Sequence, residues 1–177
     1  MLMNTAHAAA LTTVSDVISD SDLSASADHT ITFTTPTGIA ADGIFTLTFA
    51  DAFGLDTIDF DDIDLADDTT DVVLAAQAAN ASWGVANDGS EVLTFTNGSG
   101  AVAAGSVIVI QIGDHSSQGS GATQIVNPSS AGTVSVVVSG NFGDTGTAMV
   151  AIIDDVVVSA SVGTSFTFAI TGVNSGV

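Results

Sequence analysis

The sequence predicts an all-β protein, an antiparallel β-sandwich of the jelly-roll or immunoglobulin-like type with an extended N-terminal arm. Apolar residues alternate with Thr and Ser at a period of two along most of the chain, which is the pattern of half-buried strands. Gly, Asn and Asp separate these runs, as turn residues do. Of the 177 residues 46% are hydrophobic and 11% are charged, so we expect a folded core rather than a disordered chain.

The predicted strands follow one another at the spacing of a sandwich, and we expect about nine to eleven of them. The clearest runs, with Phe, Leu or Ile on one face and Thr on the other, are residues 30–34, 45–49 and 93–96. Residues 107–112 are apolar on both faces, and residues 72–81 fit either a short helix or a strand. Further strand-forming runs are residues 134–139, 148–153, 156–162 and 165–171.

The N-terminal part is predicted to be separate from the sandwich, with an arm and linker at residues 1–27 and the β-sandwich domain at residues 28–177. Residues 11–19 form a short β-prone stretch that a polar linker separates from the body. Sandwiches have exposed strand edges that proteins often protect with lysine, and this chain has none. We therefore expect the arm to donate a strand to a neighbouring subunit; the alternative is pairing within its own sheet. The expected subunit contacts are Leu11, Val14, Val17 and Ile18.

The charge of the chain excludes several classes of partner. It has no Lys or Arg and 20 acidic residues, giving a formal net charge of −20. Nucleic-acid binding requires cations that neutralise phosphates, so no nucleic-acid partner is expected. An anionic membrane surface would repel the chain, and no run of about 20 apolar residues encodes a spanning helix, so no direct membrane insertion is expected.

Composition also favours an extracellular location. A polyanionic surface repels itself in low salt, and divalent cations or high ionic strength relieve that repulsion. The segments Ala6-His7-Ala8 and Ala8-Ala9-Ala10 resemble a signal-peptide cleavage site, although a basic segment before them is missing. We therefore expect a secreted protein at the cell surface.

The segment HTITFTTPTGIAADGIFTLTFADAFGLDTIDFDDIDL, His29 to Leu65, resembles the opening module of secreted, Thr/Asp-rich β-sandwich surface proteins of uncultured bacteria and some archaea. The resemblance implies a self-assembling extracellular structural protein, a subunit of fibres or surface layers. The family usually has Pro before the Phe that closes the second strand region. This chain departs from that pattern, with Ala50-Asp51-Ala52-Phe53 at this place.

The densest cluster of acidic residues lies between residues 56 and 71. Ca²⁺ takes six to eight oxygen ligands, so carboxylates in this segment are candidate ligands. The candidates for such a site are Asp59, Asp61, Asp62 and Asp64. The EF-hand spacing is absent, and the alternative is a solvated acidic face that binds cations diffusely. No cofactor is required for folding, and Ca²⁺ is the candidate ion for this segment.

Catalytic motifs are weak, and we expect no enzyme. Asp114-His115-Ser116 contains the residue types of a hydrolase triad, but they are adjacent in sequence and no G-x-S-x-G elbow occurs. The three His residues have no zinc spacing, and Cys is absent. Trp83 alone is a poor platform for a sugar-cleaving cleft and is predicted to anchor the core or an interface.

Two sequons are candidate N-glycosylation sites, at Asn80 and Asn97. Asn97 is the better placed of the two, in a Gly-rich loop. Such short motifs also occur by chance in a chain rich in Ser and Thr.

A weak internal repeat relates two parts of the chain. Thr32-Phe33-Thr34 and the glycines that follow recur 62 positions later as Thr94-Phe95-Thr96 and its glycines. Either a strand–loop–strand unit occurs once in each half of the sandwich, or a sequence of low diversity has converged.

Together these features predict a structural subunit of a self-assembling extracellular filament, a pilus-like fibre whose partner is a second copy of itself. A surface-layer lattice subunit and an adhesive or carbohydrate-binding module of a larger surface protein are the alternatives.

Overall fold

The computed structural model describes residues 9–50, 52–117, 119–154 and 161–169. Within these residues the only helical element is a 3₁₀ turn at Phe60–Asp62, and all other regular elements are β-strands. The strands are β1 (Thr12–Ile18), β2 (Ser26–Ala27), β3 (His29–Thr34), β4 (Ile44–Phe49), β5 (Ile63–Asp67), β6 (Thr70–Val72), β7 (Leu74–Ala75), β8 (Trp83–Asn87), β9 (Val92–Thr96), β10 (Val107–Ile112), β11 (Ile125–Val126), β12 (Gly132–Gly140) and β13 (Thr145–Ile152).

These strands form two main sheets that pack face to face. One has five strands in the order β1-β3-β10-β5-β6, and the other has six in the order β13-β12-β4-β9-β8-β7. Pairing is antiparallel throughout except between β7 and β8, and β11 pairs with β2 in a small third sheet. The predicted all-β antiparallel sandwich is confirmed. It has more strands than expected because several, such as β2, β7 and β11, are only two residues long.

The core lies between the inward faces of the two sheets. Phe33 of β3 contacts Phe45 of β4 edge to face, with ring centroids 5.5 Å apart. Phe45 also stacks on Phe95 of β9 at 4.7 Å and meets Trp83 at 5.9 Å. Because Trp83 is 5% exposed, it anchors the core rather than an interface.

The internal repeat corresponds to a repeated structural unit. In the first copy the chain passes from β3 in the five-stranded sheet to β4 in the six-stranded sheet. In the second copy it passes in the opposite direction, from β9 to β10. The two connecting loops pair with each other, since Ile39 and Val102 exchange main-chain hydrogen bonds of 3.1 and 2.8 Å.

The segment predicted as a free arm lies in the sandwich of its own chain. β1 pairs antiparallel with β3, and Leu11, just before it, is 6% exposed and belongs to the core cluster. β2 also lies before residue 28 and pairs with β11. Strands are thus present on both sides of the boundary expected at residue 27. In the isolated chain, residues 12–18 therefore pair within a sheet of their own chain, which is the alternative to donation.

The C-terminal strands expected from the sequence fall mostly outside the described residues. Of the runs 156–162 and 165–171, the structure describes residues 161–162 and 165–169. Residues 161–169 form no strand there, and all nine are exposed. Residues 72–81, which fitted a helix or a strand, contain the end of β6, the short β7 and turns.

The burial of Leu11 allows a direct test of whether β1 belongs to the core. Leu11→Ala should lower the free energy of unfolding by about 2–5 kcal/mol, because it removes buried methyl groups and leaves a cavity. Urea denaturation followed by Trp83 fluorescence measures the change. Val17→Ala, within β1, is the control, since Val17 is 66% exposed, and it should cost less than about 0.5 kcal/mol. Equal effects of the two substitutions would contradict a packed N-terminal segment.

Candidate functional site

The acidic segment begins with a capped turn. Asp59 is the N-cap of the 3₁₀ turn, and its carboxylate accepts a hydrogen bond of 2.8 Å from the main-chain nitrogen of Asp61. The carboxylate of Asp62 accepts in return from the main-chain nitrogen of Asp59, at 3.1 Å. This reciprocal capping box fixes the entry into β5.

Asp62 and Asp64 are buried against the loop that follows β10, residues 113–117 and 119–124, here called the covering loop. Asp62 and Asp64 are 3% and 6% exposed. Asp62 accepts from the main-chain nitrogen of Thr123 at 2.7 Å, and Asp64 accepts from those of Ser117 and Gly119. The loop can approach this closely only because it carries Gly119 and Gly121, where a Cβ atom would collide with Asp61 and Asp62.

These contacts decide what the four predicted calcium ligands do. The carboxylates of Asp59 and Asp62 cap the turn, and those of Asp62 and Asp64 accept from main-chain nitrogens of the covering loop. Asp61 contributes its main-chain groups, since its nitrogen donates to Asp59 and its oxygen accepts from the nitrogen of Gly121. Across the described ranges, no group of three or more His, Cys, Asp or Glu residues is arranged to hold a metal ion. Asp62 and Asp64 alternate with Ile63 and Leu65 along the chain, and the distant covering loop buries the face that carries the two carboxylates.

The role of Asp64 as an acceptor for the covering loop can be tested by substitution. Asp64→Ala should lower the free energy of unfolding by about 1–3 kcal/mol, because buried N–H groups lose their partner. Hydrogen exchange at residues 117 and 119 should become faster. Asp56→Ala, at an exposed carboxylate of the same acidic segment, is the control. Unchanged exchange in Asp64→Ala would show that other contacts hold the loop.

A second polar cluster joins the covering loop to β3. His115 Nε2 lies 3.1 Å from the hydroxyl of Thr30, and His115 Nδ1 lies 3.4 Å from the carboxylate of Asp28. The order hydroxyl, imidazole, carboxylate is that of a hydrolase triad, assembled from separate segments. Sequence analysis missed it, because only the neighbours of His115 in the chain were compared with a triad.

The surroundings of this cluster favour a structural role. Asp28 accepts hydrogen bonds of 2.9 Å from the main-chain nitrogen of Asp114 and from the side chain of Gln124, so it holds the covering loop at two points. His115 Nδ1, at 3.4 Å, makes no hydrogen bond to it. Thr30 lies in a strand paired on both sides, with β1 and with β10. Its own main-chain groups therefore belong to the sheet and are not available to stabilise an oxyanion.

The two sequons differ sharply in accessibility. Asn97 is fully buried, and its side-chain nitrogen donates to the main-chain oxygens of Ala40, at 2.9 Å, and of Gly100. Because this nitrogen is the atom to which a glycan would be attached, the folded chain cannot be modified at Asn97. Asn80 is exposed in a turn with a φ of 48°. This corrects the expectation that Asn97 is the better placed site.

Expression in a host that glycosylates N-x-S/T sequons tests this difference. Asn80→Gln should remove any glycan that the folded protein carries, and Asn97→Gln should leave the modification of Asn80 unchanged. Mass spectrometry of intact protein and of peptides measures occupancy. Glycan found on Asn97 would mean that the site is modified before the loop closes around it.

One side of the sandwich is closed, and we call it the joined side. Parallel bridges from Ala10 to Thr145 and from Asp22 to Ile153 connect the chain before and after β1 to the two ends of β13. The predicted contact residues lie on this side. Leu11 is buried, Val14 packs against the core, Ile18 is half-buried and Val17 is exposed.

β1 carries two features that protect a strand edge without lysine. Its register with β3 shifts between Thr12 and Ser15, as at a β-bulge. Asp16 points inward and lies 2.8 Å from the buried ring of His29, with both side chains fully inaccessible. Bulges and inward charges are both known to discourage pairing at a sheet edge.

The opposite side of the sandwich is more open, and we call it the open side. β6 pairs only with residues 65–67 of β5, and Ile63 and Asp64, the preceding residues of β5, are 1% and 6% exposed. At Val73, which is 69% exposed, the chain crosses to the other sheet and continues as β7. A cavity of about 130 Å³ opens at this place, here called the open-side groove, lined by Phe60, Asp61, Ile63, Val72, Val73, Leu74 and Gly119.

Comparison with known proteins suggests no function for the chain, so its function is argued from the geometry described above. No protein-family model matches the chain, and no curated protein matches it. The described part of the chain contains no helix that is long and apolar enough to cross a membrane.

Proposed function

We propose that the protein is a structural subunit of a self-assembling extracellular filament, joined by strand donation between subunits. One observation carries the proposal. The sandwich leaves an open side with incomplete edge strands, while residues 161–169 present a strand-forming sequence that is exposed throughout. Exposed edges and unpaired strand segments are the two complementary parts of β-strand addition.

The charge of the subunit makes assembly depend on cations. Each copy carries a net charge of −20 and no Lys or Arg, so the surfaces of two copies repel each other. Calcium then acts as a counter-ion between acidic surfaces, in place of a single coordinated site. Cohesion comes from main-chain hydrogen bonds and apolar contact, which need no opposite charges.

The sequence predicts that residues 11–19 are the donated strand. In this fold such donation would require two copies to exchange their β1 strands. β1 already fills a place beside β3 in its own chain, so β1 of a neighbour could occupy that place only after the first had left. Such swapping of identical elements is a known route to oligomers. The buried Leu11 and the Asp16–His29 pair oppose it, since both contacts break on exchange.

Neither alternative function has an observation that favours it over the filament. A surface-layer lattice would use the same edges, and electron microscopy distinguishes sheets from fibres. Carbohydrate-binding surfaces commonly present aromatic rings on a folded surface. Trp83 is buried in the sandwich, and the exposed rings Phe166 and Phe168 lie outside its strands.

Assembly should be visible directly. The purified full chain should form filaments at high concentration with calcium and fewer filaments in sodium chloride of matched ionic strength, because a divalent ion can bridge carboxylates. Negative-stain electron microscopy and light scattering after size-exclusion chromatography measure this. A single monomeric species at every concentration, with or without calcium, would overturn the proposal.

A further inference from the structure

We propose that the chain cross-links itself through an ester bond between the hydroxyl of Thr30 and the side-chain carbonyl carbon of Gln111. The reaction releases ammonia, needs no cofactor and uses His115 as its base. The link joins β3 to β10 within one subunit. It is a modification of the folded chain and does not depend on the proposed assembly.

The two reacting side chains lie opposite each other on neighbouring strands. Thr30 of β3 is the register partner of Gln111 of β10. Both side chains are half-buried, and both alternate with fully buried residues such as Ile31 and Ile110. They therefore share the face of the five-stranded sheet that points away from the core.

Main-chain hydrogen bonds show that this pair is of the closer kind. On β3 the oxygen of Asp28 accepts a hydrogen bond of 3.0 Å from the segment that follows β1, and beyond β10 the nitrogen of Gly113 donates one of 3.0 Å to Asp62. Because these groups alternate in direction along a strand, those of Thr30 and Gln111 point away from each other, as in a non-hydrogen-bonded pair. Directly opposite Cβ atoms then lie about 4.5–5.5 Å apart. The bonds that join one Cβ to the other through an ester span about 5 Å.

His115 places a base at the hydroxyl. Its Nε2 atom lies 3.1 Å from Thr30 Oγ1, and its Nδ1 atom lies 3.4 Å from the carboxylate of Asp28. A proton on Nδ1 therefore faces a negative charge, which leaves Nε2 free to accept the proton of the hydroxyl. The covering loop holds His115 in this position, since Asp114 and Gln124 both donate hydrogen bonds to Asp28.

The reaction balances with these groups alone. Thr30 Oγ1 forms a bond to Gln111 Cδ as its proton passes to His115 Nε2. The bond between Cδ and the nitrogen of Gln111 then breaks, and His115 returns the proton to the departing nitrogen. One ammonia leaves and one ester remains. A groove of about 280 Å³ opens beside Thr30 and His115 and gives the ammonia a path to solvent.

A reaction that occurs once in each chain needs little catalytic power. The main-chain groups of Thr30 are engaged in the sheet, which argues against repeated turnover on a free substrate. Here the nucleophile and the carbonyl belong to one folded chain, and effective molarities in well-oriented intramolecular reactions reach about 10⁵–10⁸ M. Loss of ammonia to solvent draws the reaction forward.

The composition of the chain leaves this kind of link open to it. Disulfides are the common cross-links of extracellular domains, and Cys is absent from the sequence. Lys is absent too, so its side-chain amine cannot form an amide link. A hydroxyl and a carboxamide, which the chain has in β3 and β10, suffice for an ester.

Mass spectrometry of the full chain under denaturing conditions tests the link. The chain should be lighter than its sequence by one ammonia, and a protease that cleaves at Asp should release the peptides of Thr30 and Gln111 joined together. Succinimide formation at Asn97-Gly98 loses the same ammonia but joins no peptides. That result would overturn the proposal, as would the full sequence mass, a link from Thr30 to Gln124, or Glu in place of Gln111 without a link.

Substitutions separate the ester from an ordinary contact. Thr30→Val and Gln111→Glu should keep the full mass of their sequences, whereas Thr30→Ser retains a hydroxyl and should still lose ammonia. His115→Phe should slow the loss at least about a hundredfold. The matched controls are Thr32→Val, on the same face of β3, and Gln77→Glu, at an exposed Gln; both should lose ammonia normally.

Circular dichroism establishes that each variant is folded. Gln111→Glu carries the same test should Thr30→Val fail to fold. Loss of ammonia from a folded Thr30→Val chain, with the same joined peptides absent, would contradict the assignment of Thr30 as the nucleophile. Filament formation plays no part in these measurements, so their outcome is separate from that of the assembly experiment.

Discussion

The absence of Lys and Arg is the constraint on which the rest of the structure depends. A buried carboxylate usually needs a cation or several hydrogen bonds, and in a chain without Lys and Arg these come mainly from main-chain nitrogens and hydroxyls, with His29 as the partner of Asp16. Asp144, fully buried, accepts from the main-chain nitrogens of Ala9 and Thr37 and from two Thr hydroxyls, and so ties the N-terminal segment to two loops. The exposed Asp88 likewise accepts hydrogen bonds from main-chain amides, in the turn between β8 and β9. The hydrogen bonds from the amides of Val92 and its neighbours lower the pKa of that carboxyl below its usual 3.8.

The same constraint shapes the sheet edges. Lysine is the common residue that keeps edges apart, and a chain without it must use geometry instead. On the joined side, β1 combines a register shift with an inward Asp16 held by buried His29, and the flanking chain pairs with β13. No such arrangement accompanies the crossing at Val73, where β6 and β7 are three and two residues long. The protection of the sheet edges is therefore uneven between the two sides of the sandwich.

The sequence predicted what depends on local pattern and missed what depends on distant contacts. Alternation located β3, β4, β9 and β10 because each has one apolar and one polar face. It could not locate the burial of Asp62 and Asp64, since the covering loop lies about 50 residues away and gives no local signal. For the same reason a Gly-rich context suggested an accessible Asn97, whereas tertiary packing encloses it. The sequence predicts a β-prone arm before a polar linker, but local pattern does not show which sheet the arm joins.

Electrostatic screening explains why a strand joint suits this chain better than contact between its faces. The Debye length is about 8 Å at physiological ionic strength, so monovalent salt weakens repulsion between charges that lie further apart than this. Strands paired in a sheet lie about 4.8 Å apart, inside that distance, and carboxylates on both would still repel. An added strand without charge avoids the problem where the chains are closest. The remaining carboxylates then face each other across wider gaps, where salt screens them or a divalent ion bridges them. In the proposed filament, cohesion and repulsion are in this way separated in space: an uncharged strand would make the contact, and the acidic surface would limit association to that contact.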